Sequence, residues 1–420
     1  MRRALITAAA MVALVAGCTS AEAPEQTPDA ASIAFDGQLA VDWAHASPPA
    51  FAQAGGVYDF TVAAGRLWAL ASDETTVTLL SSADGLQWER VDRPEFEGVP
   101  VEDGLSPHFI ADAERMTIVI KHLEERYQEA GRFSILIGTA SGDDIAWEAV
   151  PESAFAPWQV EHAGYRFNPG SPSNGIWLGD TLLMLGHVSF YPDGQPPGTG
   201  NASWGVFRYA DGAGQRHADP RPPLGAVDWF GSPHHTQPRA GVAVAELGGT
   251  VHVIGGSIDW ASRLNVWSTP DAGAGWSLDL TPVPLNIKNR TALIVIRDAL
   301  TTEHGIIAAG TNGGSDDGAG LLLHSADGST WTVQMLEEVQ EVNHLLEVNG
   351  TYYAIASQLR YDPLSPSRVW ASTDGQNWQP LPSTTLPQQL LGAVAVGEGI
   401  VVATATELIF SGALPPLAID

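Results

Sequence analysis

The chain is 420 residues long and 44% hydrophobic, ample for a large core and too apolar for global disorder. Its formal net charge of −28, from 48 acidic against 20 basic residues, excludes binding nucleic acid or an anionic lipid surface through bulk charge, because both need a positive field. A single cysteine excludes an intrachain disulfide, and 44 glycines with 29 prolines suit many short strands joined by turns.

The N-terminus reads as a secretory signal: Arg2 and Arg3, an apolar run over residues 4–15, then Val15-Ala16-Gly17-Cys18. The run is too short to span a bilayer in a mature protein. A small-residue stop directly before Cys18 resembles the lipobox of bacterial lipoproteins. That resemblance implies that Cys18 is lipidated and becomes the mature N-terminus. It also implies an exported domain anchored to the bacterial membrane, at the cell surface or on the periplasmic side. An ordinary cleaved signal with an incidental cysteine is the competing reading. Residues 19–31 are small, polar and proline-containing, which suits a flexible tether. Residues 32–420 remain for the folded domain.

Along that domain, three heptads nearly repeat: Ser82-Ala83-Asp84-Gly85-Leu86-Gln87-Trp88, Ser325-Ala326-Asp327-Gly328-Ser329-Thr330-Trp331 and Ser372-Thr373-Asp374-Gly375-Gln376-Asn377-Trp378. A unit used repeatedly signals a repeat architecture. Each heptad closes one apolar run and opens another, the mark of a hairpin. Asp accepts hydrogen bonds from its own turn, Gly adopts a conformation closed to other residues, and Trp supplies a large apolar face with one N–H to satisfy.

Weaker copies fill the gaps. Asp143 and Trp147 keep the Asp-to-Trp spacing without the glycine, while Asp271, Gly273 and Trp276 fit a longer form. Ala210-Asp211-Gly212 keeps the turn but has Gln215 in place of the tryptophan. These six turns resemble the Asp-box, or bacterial neuraminidase repeat, a motif of many β-propeller families including the sialidase superfamily. The resemblance is specific for a fold element and much less so for an activity.

A second series of turns alternates with the first, at Ala64-Gly65, Ala113-Glu114, Gly179-Asp180, Gly248-Gly249, Glu303-His304, Asn349-Gly350 and Gly397-Glu398. Asn-Gly and Gly-Gly are strong hairpin dipeptides. Seven first turns and six Asp-type turns predict an all-β propeller of seven four-stranded blades; a missed or doubled turn would make it six or eight. The last blade takes its third strand from residues 405–410 and its outer strand from residues 32–43, so the ring closes and sheet edges are protected.

Antiparallel order then sorts the loops. The A–B and C–D turns share one end of the molecule and are short. The B–C and D–A connections share the other and hold the long insertions, about 91–108, 122–132, 151–174, 187–204, 215–239, 257–263, 287–290, 311–320 and 358–368. Long loops gathered on one rim of a rigid scaffold are where function usually lives. The candidate ligand-binding residues there are Trp158, Tyr165, Arg166, Trp229, Arg239, Trp260, Arg263 and Arg360. Arginine grips carboxylates with a fork of donors, and aromatic faces stack on sugars or cations. Packing of the loops on themselves is the competing explanation. His217, Asp219, Asp228, His234 and His235 cluster in one insertion but lack metal-ligand spacing, so neither a metal nor a cofactor is expected.

Two classes of function remain. One is a non-catalytic binding or scaffold propeller that recognises a protein or glycan with the long-loop face. The other is a glycan-acting hydrolase or lyase of sialidase-like architecture. Against the second stands the lack of the Arg-Ile-Pro element that sialidases carry early in the fold. No nucleophile elbow, phosphate loop or zinc motif is present either.

Overall fold

The computed structural model describes residues 43–411, except 73–75, 97–98, 100–106, 123–131, 142–143, 156–164, 169–171, 193–200, 219–241, 257–263, 271–276, 280–293, 313–318, 337–338, 358–366, 382–385 and 387–389. Cys18, the signal segment and the tether lie outside them.

A short strand β1 (Ala44–Ala46) and a one-turn helix α1 (Pro49–Gln53) precede the first blade, which comprises β2 (Val57–Ala63), β3 (Arg66–Ser72), β4 (Val77–Ser82) and β5 (Glu89–Val91). Blade 2 follows with β6 (His108–Ala111), β7 (Arg115–His122), β8 (Arg132–Ser141) and β9 (Asp144–Pro151). An extra strand, β10 (Tyr165–Asn168), leads into blade 3, made of β11 (Pro172–Leu178), β12 (Thr181–Pro192), β13 (Asn201–Ala210) and β14 (Ala213–Ala218). Blade 4 is β15 (Val242–Leu247), β16 (Thr250–Gly256), β17 (Leu264–Thr269) and β18 (Ser277–Asp279). Blade 5 is β19 (Ile294–Thr302), β20 (Gly305–Asn312), β21 (Ala319–Ser325) and β22 (Thr332–Leu336). Blade 6 is β23 (Glu341–Val348), β24 (Thr351–Ser357), β25 (Ser367–Ser372) and β26 (Gln379–Pro380). Blade 7 is β27 (Gly392–Val396), β28 (Gly399–Ala403) and β29 (Leu408–Phe410), completed by β1 from the other end of the chain.

Every blade is an antiparallel sheet in sequence order, and successive inner strands touch from β2 round to β27 and back to β2. The protein is a seven-bladed β-propeller. The closing strand falls at Ala44–Ala46, just after the 32–43 window expected for it, and pairs Ala44 with Phe410 and Ala46 with Leu408. Its partner strand is likewise shorter than expected, starting at Leu408 because Thr404 and Glu407 first close a hydrogen-bonded turn.

The core is divided between the blades. Seven apolar clusters each span one pair of neighbouring sheets. Strand pleating explains the division, since alternate residues face opposite sides of a sheet. In β20, Ile306 and Ala308 pack toward blade 4 while Ile307 and Ala309 pack toward blade 6. A strand buried on both faces therefore reads as one continuous apolar run, as the fully buried Gly305–Asn312 does.

Two stretches depart from the sequence reading. Residues 187–204, expected to be irregular, include the extended β12–β13 hairpin, whose register runs on to Phe190 opposite Asn201. In blade 2, Ser141 pairs with Asp144, so β8 and β9 are joined by two residues only. Trp147 consequently stands within a strand, opposite Gly138 and edge-on to Trp68 of blade 1 at 5.9 Å.

Candidate functional site

The end formed by the A–B and C–D turns is closed by its own hydrogen bonds. In the first heptad, Ser82 Oγ accepts from the Gly85 N–H at 2.8 Å and donates to Asp84 Oδ1 at 3.1 Å. Asp84 Oδ1 also accepts from the Leu86 and Gln87 N–H groups, both at 2.8 Å. Trp88 Nε1 then donates to the Gly85 carbonyl at 2.9 Å. The third heptad repeats every one of these bonds around Ser372, Asp374, Gly375 and Trp378. The second repeats the aspartate contacts through Ser329 and Thr330, but the indole N–H of the buried Trp331 has no acceptor among the described residues. N–H donors from Thr330 and Ser329 hold Asp327 well below the ordinary carboxylate range, and those from Gln87 and Leu86 do the same for Asp84. These carboxylates are spent on their turns.

The glycines of these turns press on the preceding blade. Gly328 has φ +75°, and a Cβ placed there would collide with the His252 imidazole of blade 4. Gly350, in an A–B turn, has φ +72° but open space around it. Gly328→Ala is therefore expected to be clearly more destabilising than Gly350→Ala. Both meet the left-handed backbone penalty of roughly 1 kcal/mol, and only the first adds the clash. Thermal melts of the two variants check this, and equal losses would contradict it. A cleft of about 150 Å³ lies beside the blade 6 turn, where Gln334 and Trp378 exchange hydrogen bonds across the seam between blades 5 and 6.

The opposite end, where inner strands begin, is built differently. Four residues before the last residue of their inner strands, blades 1, 3, 5 and 6 place Asp59, Asn174, Asp298 and His344. In each case a register shift leaves one extra residue just before it, as in a β-bulge. Asp59 accepts from its own neighbour Phe60 (2.8 Å) and from Phe109 of blade 2 (2.7 Å). Asp298 repeats the arrangement with Ala299 (2.8 Å) and Leu345 of blade 6 (2.8 Å). Inner strands have no partner on the channel side, so their edge N–H groups need another acceptor. Each carboxylate supplies one and stitches two blades together. Burial pushes Asp59 up to about 7 and Asp298 up to about 6, against the lowering effect of those N–H donors. Burial also pushes His344 down to about 4.

The extra residues of the bulges differ: Tyr58 packs against the cluster between blades 1 and 2, while Arg297 and Asn343 make polar contacts. Arg297, whose side chain is 35% exposed, donates from Nε to the carboxylate of the buried Glu341 in blade 6. Its other guanidinium N–H groups have no hydrogen-bond partner among the described residues. Asn343 donates to Ser357 at the end of β24. An arginine oriented by a buried carboxylate, with donors unpaired among the described residues, can take up an anion or a carbonyl oxygen.

Of the residues singled out in the sequence, Tyr165 and Arg166 lie on β10, in register with Pro192 and Tyr191 of β12. The strand lengthens blade 3 at the end carrying the long connections. Trp158, Trp229, Arg239, Trp260, Arg263 and Arg360 lie outside the described residues, as do Asp143, Asp271, Gly273 and Trp276. Sequence reading missed Asp59, Asp298, Arg297 and Glu341. Their signal is a polar pair (Tyr58-Asp59, Arg297-Asp298, Asn343-His344) interrupting the apolar run of an inner strand. Among the described residues, no group of three or more His, Cys, Asp or Glu side chains is placed to hold a metal.

No protein-family model and no curated protein matches the chain. Solved structures resemble it in architecture. A Trypanosoma rangeli sialidase in complex with sialic acid is 12% identical, matching 84% of this chain and 53% of its own, with a TM-score of 0.41. An ulvan lyase of a polysaccharide lyase family is 10% identical over 84% of this chain and 93% of its own, with a TM-score of 0.48. A family 117 glycoside hydrolase from Zobellia galactanivorans is 10% identical over 57% of this chain and 82% of its own, with a TM-score of 0.34. The chain thus spans about half the length of the sialidase it matches. No residue role is carried over from these likenesses.

Proposed function

We propose that this propeller is an exported, membrane-anchored binding module that recognises a protein or glycan ligand through the end bearing its B–C and D–A connections. The carrying observation is the asymmetry of the two ends. At one end, Ser, Asp and Gly side chains and backbone close every complete heptad turn on itself. At the other, connections as long as 219–241 and 280–293 join blades, β10 adds a strand, and Arg297 keeps donors without a partner among the described residues. Rigid scaffold below and varied loops above is the usual arrangement of a recognition surface. Anchoring through Cys18 and the Asp-box character of the heptads belong to this same proposal, on the sequence features given above.

Binding is favoured over turnover by the fate of the acidic groups. Asp59 and Asp298 have the raised proton affinity useful to a general acid, yet both oxygens of each are committed to backbone N–H groups. The reading is tested with purified residues 19–420 on a glycan array and on a panel of fluorogenic glycosides and anionic polysaccharides. Saturable binding without turnover is the expected result. Robust hydrolysis or lyase cleavage would replace it with the catalytic alternative.

A further inference from the structure

We infer that the ligand of the long-connection end is an uncharged, hydroxyl-rich molecule, a neutral glycan, held at the inner rim between blades 5 and 6 by Arg297, with Glu341 turning acidic ligands away. This rests on the binding-module reading above and adds the class of ligand to it. The site is fixed before a ligand arrives. Arg297 is the extra residue of the bulge in β19, and its Nε donates to the carboxylate of Glu341, the buried first residue of β23. The next residue, Asp298, accepts from the Leu345 N–H further along that strand. Two links thus hold these inner strands together, and the guanidinium has little freedom left to lose on binding. At the matching position of blade 6, Asn343 donates to Ser357, placing an amide and a hydroxyl on the neighbouring strands.

Charge then decides what such donors accept. The Arg297 guanidinium already faces a carboxylate, so the pair is neutral as a whole. Asp298 adds no positive charge, and burial, which lowers His344 to about 4, keeps that imidazole neutral. The surrounding rim does not compensate: over the long insertions acidic residues outnumber arginines and lysines, within a chain of net charge −28. An anionic sugar would be repelled on approach and would find no uncompensated cation here. Hydroxyl, ring and carbonyl oxygens of an uncharged sugar carry no such penalty and match the remaining N–H donors. A protein partner is disfavoured by a separate observation. Among the described residues, the exposed large apolar side chains are Leu86 and Val396, both at the turn end, whereas protein interfaces are built around apolar and aromatic centres.

The test titrates purified residues 19–420 by calorimetry with uncharged β-glucan, mannan and galactan oligosaccharides and with alginate and heparin oligosaccharides, at about 0.05 and about 0.5 M NaCl. At least one uncharged oligosaccharide is expected to bind, with an affinity that changes less than about twofold between the two salt concentrations. Arg297→Lys keeps a cation opposite Glu341 but loses the planar fork, and that affinity is expected to fall about tenfold or more. In Glu341→Gln the amide oxygen still accepts from Nε while the guanidinium charge is freed. Affinity for the alginate oligosaccharides is then expected to rise about fivefold or more over the wild type. Melts establish that each variant folds, and the Glu341→Gln arm decides if Arg297→Lys does not. Binding of acidic oligosaccharides alone, no binding of any uncharged one, or binding indifferent to both substitutions overturns the inference. Cleavage of any of these sugars defeats the binding-module reading itself.

Discussion

Replacing Trp378 with alanine is expected to cost about 3–5 kcal/mol of stability, the range of buried aromatic truncations. Trp378 is 6% exposed and belongs to the cluster that joins blades 5 and 6, together with Ile307, Leu322, Tyr352 and Trp370. Its indole N–H bonds the Gly375 carbonyl, and its backbone exchanges hydrogen bonds with Gln334 of the neighbouring blade. Removal therefore opens a cavity at a seam and orphans a buried carbonyl. The equivalent Trp88 makes the same turn bond but is only partly buried, beside Phe51 at 4.9 Å. Trp88→Ala is expected to cost about half as much, by loss of less apolar area. Denaturant midpoints of the two variants, compared with the wild type, measure the difference. A larger loss for Trp88 would contradict the view that these tryptophans act by filling inter-blade seams.

The second large effect is on pH dependence. Asp59 and Asp298 have folded-state values raised to about 7 and about 6, because they are buried. A raised value means the folded state prefers the protonated form. The stability each contributes is complete below the unfolded carboxylate value of about 4 and is lost as pH rises through its folded value. Over that window the two groups together are worth several kcal/mol, at about 1.4 kcal/mol per unit. The titratable groups near Asp298 are Arg297 on its own strand and Glu341 and His344 on the next, while Tyr58 and His108 flank Asp59 and its donor Phe109. His344, lowered to about 4 by burial, is neutral in this window and offsets part of the gain as pH falls below the unfolded histidine value of about 6.5. Asp84, Asp327 and Asp374 are lowered and act in the opposite sense, destabilising the fold as pH falls below about 4. The wild-type melting temperature is therefore expected to rise as pH is brought from 8 to 5. In the Asp59→Asn, Asp298→Asn double variant that rise is expected to be largely lost. Unchanged pH dependence in the double variant would show that these two carboxyls do not set it.

The fold was legible because its punctuation is local. Gly, Asn or Asp stands in most of the hairpin dipeptides, and all seven A–B turns lie at the dipeptides that signalled them. Blade 2 shows the limit of that logic. Without a glycine after Asp143, the strands simply run on to a two-residue link. The end carrying the long connections was far less legible. Its connections carry no periodicity, and candidates such as Trp229 and Arg360 rested on residue type alone. The inner-strand acids were missed for a different reason. Asp59 and Asp298 look like ordinary solvent-facing positions in an alternating strand, and only the bulge and the neighbouring blade reveal two backbone donors waiting for each.

The division of labour between the two ends is the claim on which the rest depends, and binding to variants of each end tests it most directly. The strongest ligand from the array is titrated by calorimetry against the wild type, Arg297→Ala at the long-connection end, and Ala326→Arg with Gln376→Arg at the turn end. Folding of each is checked by its melt. Affinity is expected to fall at least about tenfold with Arg297→Ala, the loss of one charge-assisted contact worth roughly 1.5–3 kcal/mol. The turn-end variant is expected to bind as the wild type does. Binding that survives Arg297→Ala and fails in the turn-end variant would contradict the account.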